Sequence, residues 1–75
     1  MISYAPFFET LKRKGVSTYK LINDYNISSS LLNRMKHGKP ITTTTIHDFC
    51  VILDCHIEDI VVYVKDEESQ TQQRK

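Results

Sequence analysis

The sequence is poor in residues that break or cross-link a chain. It has two glycines, two prolines, two cysteines and no tryptophan among 75 residues. So few chain breakers argue against a flexible linker and against an all-β fold with many tight turns. No apolar run approaches the ~20 residues that cross a membrane, and residues 1–8 lack the basic flank and long apolar core of a signal peptide. We therefore expect one cytoplasmic domain.

The two cysteines, Cys50 and Cys55, lie five positions apart and have no second pair. This favours reduced thiols with a structural role, because disulfides are rare in cytosolic proteins. With His47 and His56 they could be read as a metal-binding set, but the spacing matches none of the usual zinc patterns. We therefore expect no metal and no cofactor.

Charge is unevenly distributed along the chain. Residues 1–40 contain seven basic and two acidic side chains, whereas residues 41–75 contain three basic and seven acidic ones. The formal net charge of +1 conceals this difference. A basic half suggests a face that meets a polyanion, although ordinary solvated charge would give the same pattern.

Apolar residues recur three and four positions apart in five segments, the spacing of helices packed on one side. The fifth segment is irregular, because its end reads Ile-Val-Val-Tyr-Val and β-branched residues favour an extended chain. That end is therefore expected as helix or as an extended edge, and the polar residues 66–75 as a disordered tail. The predicted helices cover residues 5–14, 18–25, 28–37, 43–53 and 57–64. In the second helix the apolar positions are Tyr19, Leu21, Ile22 and Tyr25.

Polar caps and left-handed positions mark the ends of these helices. Asn26 stands where a positive φ is expected, and asparagine tolerates this best after glycine. Gly38 ends the third helix, and Pro40 cannot continue it. The candidate N-caps are Ser3, Ser17, Ser28 and Thr42.

The third predicted helix has one apolar side and one polar side. Leu31, Leu32 and Met35 form the apolar stripe. The other positions carry hydroxyls, an amide and cations but no carboxylate, and such a surface suits a DNA groove. A solvated helix surface is the plain alternative. These positions are Ser29, Ser30, Asn33, Arg34 and His37.

Over residues 4–64 the register resembles the Cro/CI-type helix-turn-helix domain of phage and bacterial repressors, especially its small standalone members from bacteria and mobile elements. The family pattern is a polar cap, an apolar pair, a turn, a small apolar residue, serine, two apolar residues three apart, and a closing glycine. Ile22 departs from the usual alanine, and Asn26 from the usual glycine. The matching residues are Ser17, Leu21, Ile22, Asn26, Ile27, Ser28, Leu32, Met35 and Gly38.

The resemblance implies an all-α, compact five-helix lambda-repressor-like domain over residues 1–65. It implies a sequence-specific DNA-binding transcriptional regulator, a repressor, that inserts helix 28–37 into the major groove while the second helix lies across the backbone. Residues implied at base edges are Ser29, Ser30, Asn33 and Arg34. Residues expected at phosphates are Ser17, Thr18, Ser28, Lys36, His37 and Lys39.

Three groups allow two interpretations. Leu31 completes the core or touches a thymine methyl group. His37 is a cation at a helix end or a DNA contact. The basic triplet at residues 12–14 complements the helix dipole or contacts phosphate.

One such module buries only about 600–1,000 Å² on DNA. We therefore expect a homodimer, joined through residues 57–64, that binds double-stranded DNA in the nucleoid. An alternative use of the same fold is a protein-interaction module such as an antitoxin, with the acidic carboxyl half as its contact surface. An enzyme is not expected, because no Gly-rich phosphate loop and no credible nucleophile-base set is present.

Overall fold

The computed structural model describes residues 1–65, which form four α-helices, one turn of 3₁₀ helix and a two-stranded sheet. The tail predicted for residues 66–75 lies outside the described residues. The elements are β1 (Ile2–Ser3), α1 (Ala5–Lys14), α2 (Thr18–Tyr25), α3 (Ser29–Lys36), α4 (Thr43–Leu53), the 3₁₀ turn (Ile57–Asp59) and β2 (Val62–Tyr63).

The prediction of a fifth helix over residues 57–64 is wrong. Only Ile57–Asp59 is helical, and the following β-branched run is extended. β2 pairs antiparallel with β1, with Ile2 opposite Tyr63. The extended alternative is therefore the correct one, because β-branched residues pack well on a pleated ribbon. The domain is mostly helical with a small sheet, not all-α.

The core is centred on two phenylalanines from the first and last helices. Phe7 and Phe49 are both fully buried, and their ring centroids lie 4.6 Å apart. Leu31 is half-buried and packs against this core, which supports the first of its two interpretations. The buried apolar residues are Tyr4, Phe7, Leu11, Leu21, Leu32, Met35, Phe49, Leu53 and Ile60.

The predicted apolar side of α2 is only partly correct. Leu21 is fully buried and Ile22 is half-buried. Tyr19 and Tyr25 are instead exposed, Tyr19 by 75%. A tyrosine ring can remain exposed to water at little cost because its hydroxyl is polar. The helical spacing of Tyr19 and Tyr25 was therefore not sufficient to show that they are buried.

The helix caps follow the sequence closely. Three of the four predicted N-caps accept a hydrogen bond from the amide three residues on, which satisfies a backbone donor that the helix leaves free. At α1 the N-cap is Tyr4 instead, and Ser3 Oγ accepts from the amide of Ala5 at 3.2 Å. The three bonds are Lys20 N–H to Ser17 Oγ at 3.0 Å, Leu31 N–H to Ser28 Oγ at 3.1 Å, and Thr45 N–H to Thr42 Oγ1 at 3.1 Å.

The segment after α4 is tied to α1 by a contact that the sequence did not indicate. Thr10, only 1% exposed, donates from Oγ1 to the carbonyl of Asp59 at 2.8 Å. The Asp59 carboxylate accepts from the amide of His56 at 3.1 Å and lies 3.9 Å from the guanidinium of Arg13. The 3₁₀ turn is therefore held against the first helix, and Ile60 follows it into the core.

The turn between α2 and α3 depends on Asn26, whose φ of +58° confirms the expected left-handed conformation. We expect Asn26→Ala to destabilise the domain by about 1 kcal/mol, because a Cβ without a polar side chain is disfavoured there. Asn26→Gly should be neutral or stabilising. Urea unfolding of the two variants measures the difference, and equal effects of alanine and glycine would contradict the explanation.

Candidate nucleic-acid interface

The geometry of the candidate interface begins with the turn that joins α2 to α3. Ile27 follows Asn26, is half-buried against the core, and donates its amide to the carbonyl of Leu21 at 3.1 Å. Leu32 on α3 is buried, as is Leu21 on α2. The inner sides of both helices are thus fixed by apolar packing, and the outer side of α3 is left to solvent.

All ten residues predicted to contact DNA are exposed. None of them belongs to the buried core, so their side chains are accessible to a partner molecule. They are Ser17, Thr18, Ser28, Ser29, Ser30, Asn33, Arg34, Lys36, His37 and Lys39.

Four of these residues line a shallow depression between the start of α2 and one side of α3. Ser29, Asn33 and Lys36 recur at helical spacing, and Thr18 closes the other side. The depression has a volume of about 200 Å³, and its floor is apolar. The fold therefore brings together residues from two helices that the sequence places eleven or more positions apart. The floor residues are Phe8, Ile22 and Leu32.

Ser30, Arg34 and His37 form a second exposed stripe along α3, again at helical spacing. The Nδ1 atom of His37 lies 2.8 Å from the carbonyl oxygen of Asn33. This hydrogen bond fixes the imidazole at the end of the helix and leaves Nε2 available to a partner.

Ser17 and Ser28 have a structural task as well as a place at the interface. Each hydroxyl oxygen accepts a backbone hydrogen bond as an N-cap. A serine hydroxyl is both a donor and an acceptor, so each O–H is still able to donate to a phosphate oxygen. Capping and phosphate contact are therefore compatible at these two positions.

The end of α3 is held by its own backbone and by a distant tyrosine. Gly38 is left-handed, with φ +71°, and donates to the carbonyl of Met35 at 3.1 Å, while Lys39 donates to the carbonyl of Arg34 at 2.9 Å. This pair of bonds is the Schellman ending that a glycine favours. The Tyr4 hydroxyl donates to the carbonyl of Lys39 at 2.7 Å. Lys39 is thus positioned from two sides.

Within residues 1–65 the cations around α3 form no ion pair with an acidic side chain. The ion pairs in this part of the chain join Arg13 to Asp59 and Lys20 to Asp24. The hydrogen bond with Asp24, together with its charge, raises the pKa of Lys20. Since Arg34, Lys36 and Lys39 have no such partner in residues 1–65, their positive charges face solvent uncompensated.

Two contributors to this region were not predicted. Phe8 forms part of the floor of the depression, and its position in the first helix does not indicate this. Tyr4 carried no signal at all, because its partner Lys39 lies 35 positions away. Local spacing does not reveal contacts of that separation.

Comparison with known proteins agrees with this geometry. A family model described as the Cro/C1-type HTH DNA-binding domain matches residues 9–66. The fold is similar to that in the crystal structure of the transcriptional regulator VanUg, Form II, with a TM-score of 0.77, 18% identity and 87% coverage of each chain. No curated protein matches the sequence.

A helix-turn-helix fold whose second helix has an exposed polar side is typical of DNA-binding proteins. The family match covers most of the chain, so the protein belongs to the Cro/C1-type helix-turn-helix DNA-binding domain family. The resemblance expected from the sequence is confirmed. None of the helices in residues 1–65 is long and apolar enough to cross a membrane.

The bond from Tyr4 to Lys39 gives a test of how α3 is positioned. We expect Tyr4→Phe to lower the free energy of unfolding by about 1 kcal/mol, because the carbonyl of Lys39 loses its donor. Tyr19→Phe is the matched control, since Tyr19 is exposed. Urea unfolding compares the two, and an equal loss in both variants would show that the hydrogen bond contributes nothing particular.

Proposed function

We propose that this protein is a sequence-specific DNA-binding transcriptional regulator that inserts α3 into the major groove. The observation that carries this proposal is the surface of α3 and of the turn after it, where hydroxyls, an amide and the cations Arg34, Lys36 and Lys39 are exposed. No carboxylate within residues 1–65 forms an ion pair with those cations. Phosphate oxygens would supply the missing negative charge, and base edges the hydrogen-bond partners.

In this proposal the outer side of α3 reads the bases. Arg34 is the main specificity residue, because its planar fork matches O6 and N7 of guanine together. Asn33 pairs with adenine through its amide in the same way. Ser29 and Ser30 are short and discriminate weakly between bases. Both stripes of α3 take part, since Asn33 lies on one and Arg34 on the other.

The phosphate contacts frame this helix. Ser17 and Thr18 offer hydroxyls and backbone amides at the start of α2, where the helix dipole favours an anion. On the other side Lys36 and Lys39 supply cations, and His37 supplies its imidazole ring. Ser28, at the start of α3, donates its hydroxyl proton to a phosphate oxygen. Such contacts set orientation and affinity, whereas the base contacts set sequence preference.

The regulatory outcome that we propose is repression. Residues 1–65 form one helix-turn-helix fold, and occupation of a DNA site is sufficient to exclude other proteins from it. Repression therefore requires no further contact surface, whereas activation requires one.

The proposed active form is a homodimer joined through residues 57–64. Support comes from the ribbon of β1 and β2, where several large apolar side chains are exposed and lie close together. Ile60 is fully buried and cannot contribute. Two copies would read half-sites about 34 Å apart and bury twice the surface on DNA. The exposed apolar residues of the ribbon and its ends are Met1, Ile2, Val62, Tyr63 and Val64, and Ile57 in the 3₁₀ turn is exposed as well.

Selection from random DNA with the purified protein provides a binding site for the decisive test. On that site we expect Arg34→Ala to weaken binding by roughly 5- to 150-fold and to relax preference at one base pair, as loss of a bidentate guanine contact does. Arg34→Lys is the matched control, because it keeps the charge and removes the fork. It should lose the base preference but retain the dependence of binding on salt.

Fluorescence anisotropy over a salt series measures both quantities. The affinity of the wild type for DNA should fall steeply as the salt concentration rises. Binding releases the cations that surround the DNA phosphates, and a high salt concentration opposes this release. Failure to select any DNA, or binding that ignores both salt and Arg34, would favour the protein-interaction alternative instead.

The dimer has its own test. We expect Tyr63→Glu to raise the Kd of dimerisation at least ~10-fold, because a carboxylate would have to be desolvated in an apolar interface. Val51→Glu is the control, since Val51 is 69% exposed on α4 and lines a depression together with Tyr25 and Ile27 instead of ribbon residues. Sedimentation velocity over a concentration series, with and without DNA, measures the association. A wild-type protein that is monomeric throughout would rule the dimer out.

A further inference from the structure

The proposed function leaves the two thiols without a role, and the fold places them at one turn. α4 ends at Leu53, and Asp54 is left-handed with φ +51°. The carbonyl of Cys50 accepts from the amide of Asp54 and, at 3.1 Å, from the amide of Cys55. A helix that ends in this way reverses the chain, so that the side chains of the residues in these two positions meet.

The backbone bond limits how far apart the two cysteines can be. With standard covalent geometry, an N···O distance of 3.1 Å places their Cα atoms at most about 7 Å apart. Natural disulfides join Cα atoms about 4.4–6.8 Å apart. The turn therefore holds the pair close to the spacing that a disulfide requires, before any bond between the sulfurs exists.

The surroundings of the thiols agree with their proximity. Both cysteines are free and half-buried. Burial raises the pKa of the Cys55 thiol, and the charge of Cys50, the charge of Asp59 and a hydrogen bond with the Cys50 thiol raise it further. Since the thiolate is the reactive form, the raised pKa slows attack by Cys55 near neutral pH, and oxidation should become faster as the pH rises.

We propose that Cys50 and Cys55 form a reversible intramolecular disulfide that clamps the turn after α4. With glutathione disulfide as oxidant, one cysteine thiolate attacks it and releases one glutathione thiolate, which leaves a mixed disulfide. The second cysteine thiolate then attacks the protein sulfur of that mixed disulfide and releases the second glutathione. Two thiol protons leave the protein, and two electrons reduce glutathione disulfide to two glutathione thiols.

The clamp would act on the connection between the helical core and the ribbon. The turn leads directly to Asp59, which accepts from Thr10, and to buried Ile60, which precedes β2. Because the backbone of the folded chain already brings the two cysteines close together, folding favours the disulfide and the disulfide in turn favours folding. This link between the redox state of the chain and its stability does not depend on whether the protein binds DNA.

Equilibration of the full chain in glutathione redox buffer tests the proposal, with acid quenching, alkylation and mass spectrometry of the intact protein and its peptides. In native buffer we expect a product lighter by two hydrogens, with Cys50 and Cys55 in one cross-linked peptide. The equilibrium constant for forming this disulfide from the two thiols and glutathione disulfide should be at least ~10-fold larger in native buffer than in concentrated guanidinium chloride. Cys50→Ser and Cys55→Ser, as matched controls, should give only the mixed disulfide with glutathione.

A thermal melt provides a second measurement that requires no variant. The oxidised wild type should melt higher than the reduced one by a few degrees or more, and the double variant Cys50→Ser/Cys55→Ser should show no dependence on oxidant. The proposal is overturned if the equilibrium constant for disulfide formation in native buffer is equal to or below that in guanidinium chloride. It is also overturned if native oxidation yields only mixed or intermolecular disulfides.

Discussion

The contact between the rings of Phe7 and Phe49 joins the first and last α-helices at the centre of the core. Helices of eight to eleven residues are not stable in isolation, so each one in this chain depends on packing. α3 buries only Leu32 and Met35 completely. Its orientation is therefore set by the core beneath it more than by its own helix propensity.

This dependence explains how a short helix can present a defined surface. At its start, Asn26 turns the chain and Ser28 caps the first amides. At its end, Gly38 reverses the chain and Tyr4 holds the carbonyl of Lys39. A helix fixed at both ends keeps its outward side chains in a constant arrangement, which recognition by hydrogen bonds requires. Arg34 and Lys36 on this helix form no ion pair within residues 1–65.

The C-terminal part of the described chain shows where local preferences compete. Glu58 and Asp59 favour a helix start by their position at its N-terminus, and the spacing of apolar residues continued that pattern. The β-branched residues after Ile60 favour an extended chain instead. The helical tendency prevails for one turn and the extended tendency for the rest, since β1 offers a partner: the amide of Val64 donates to the carbonyl of Met1 at 2.7 Å. No pattern within residues 57–64 could indicate that partner.

The N-caps of α2, α3 and α4, the left-handed turn at Asn26 and the exposure of the ten candidate DNA-contact residues could be predicted from the sequence alone. These features depend on residues three or four positions apart, so they are visible in a local pattern. Tertiary structure alone decided the pairing of β1 with β2 and the bonds from Tyr4 and Thr10, whose partners lie 35 and 49 positions away. The physical reason is that these polar groups have several acceptors within reach in an unfolded chain. Only the packed core selects which carbonyl each hydroxyl meets.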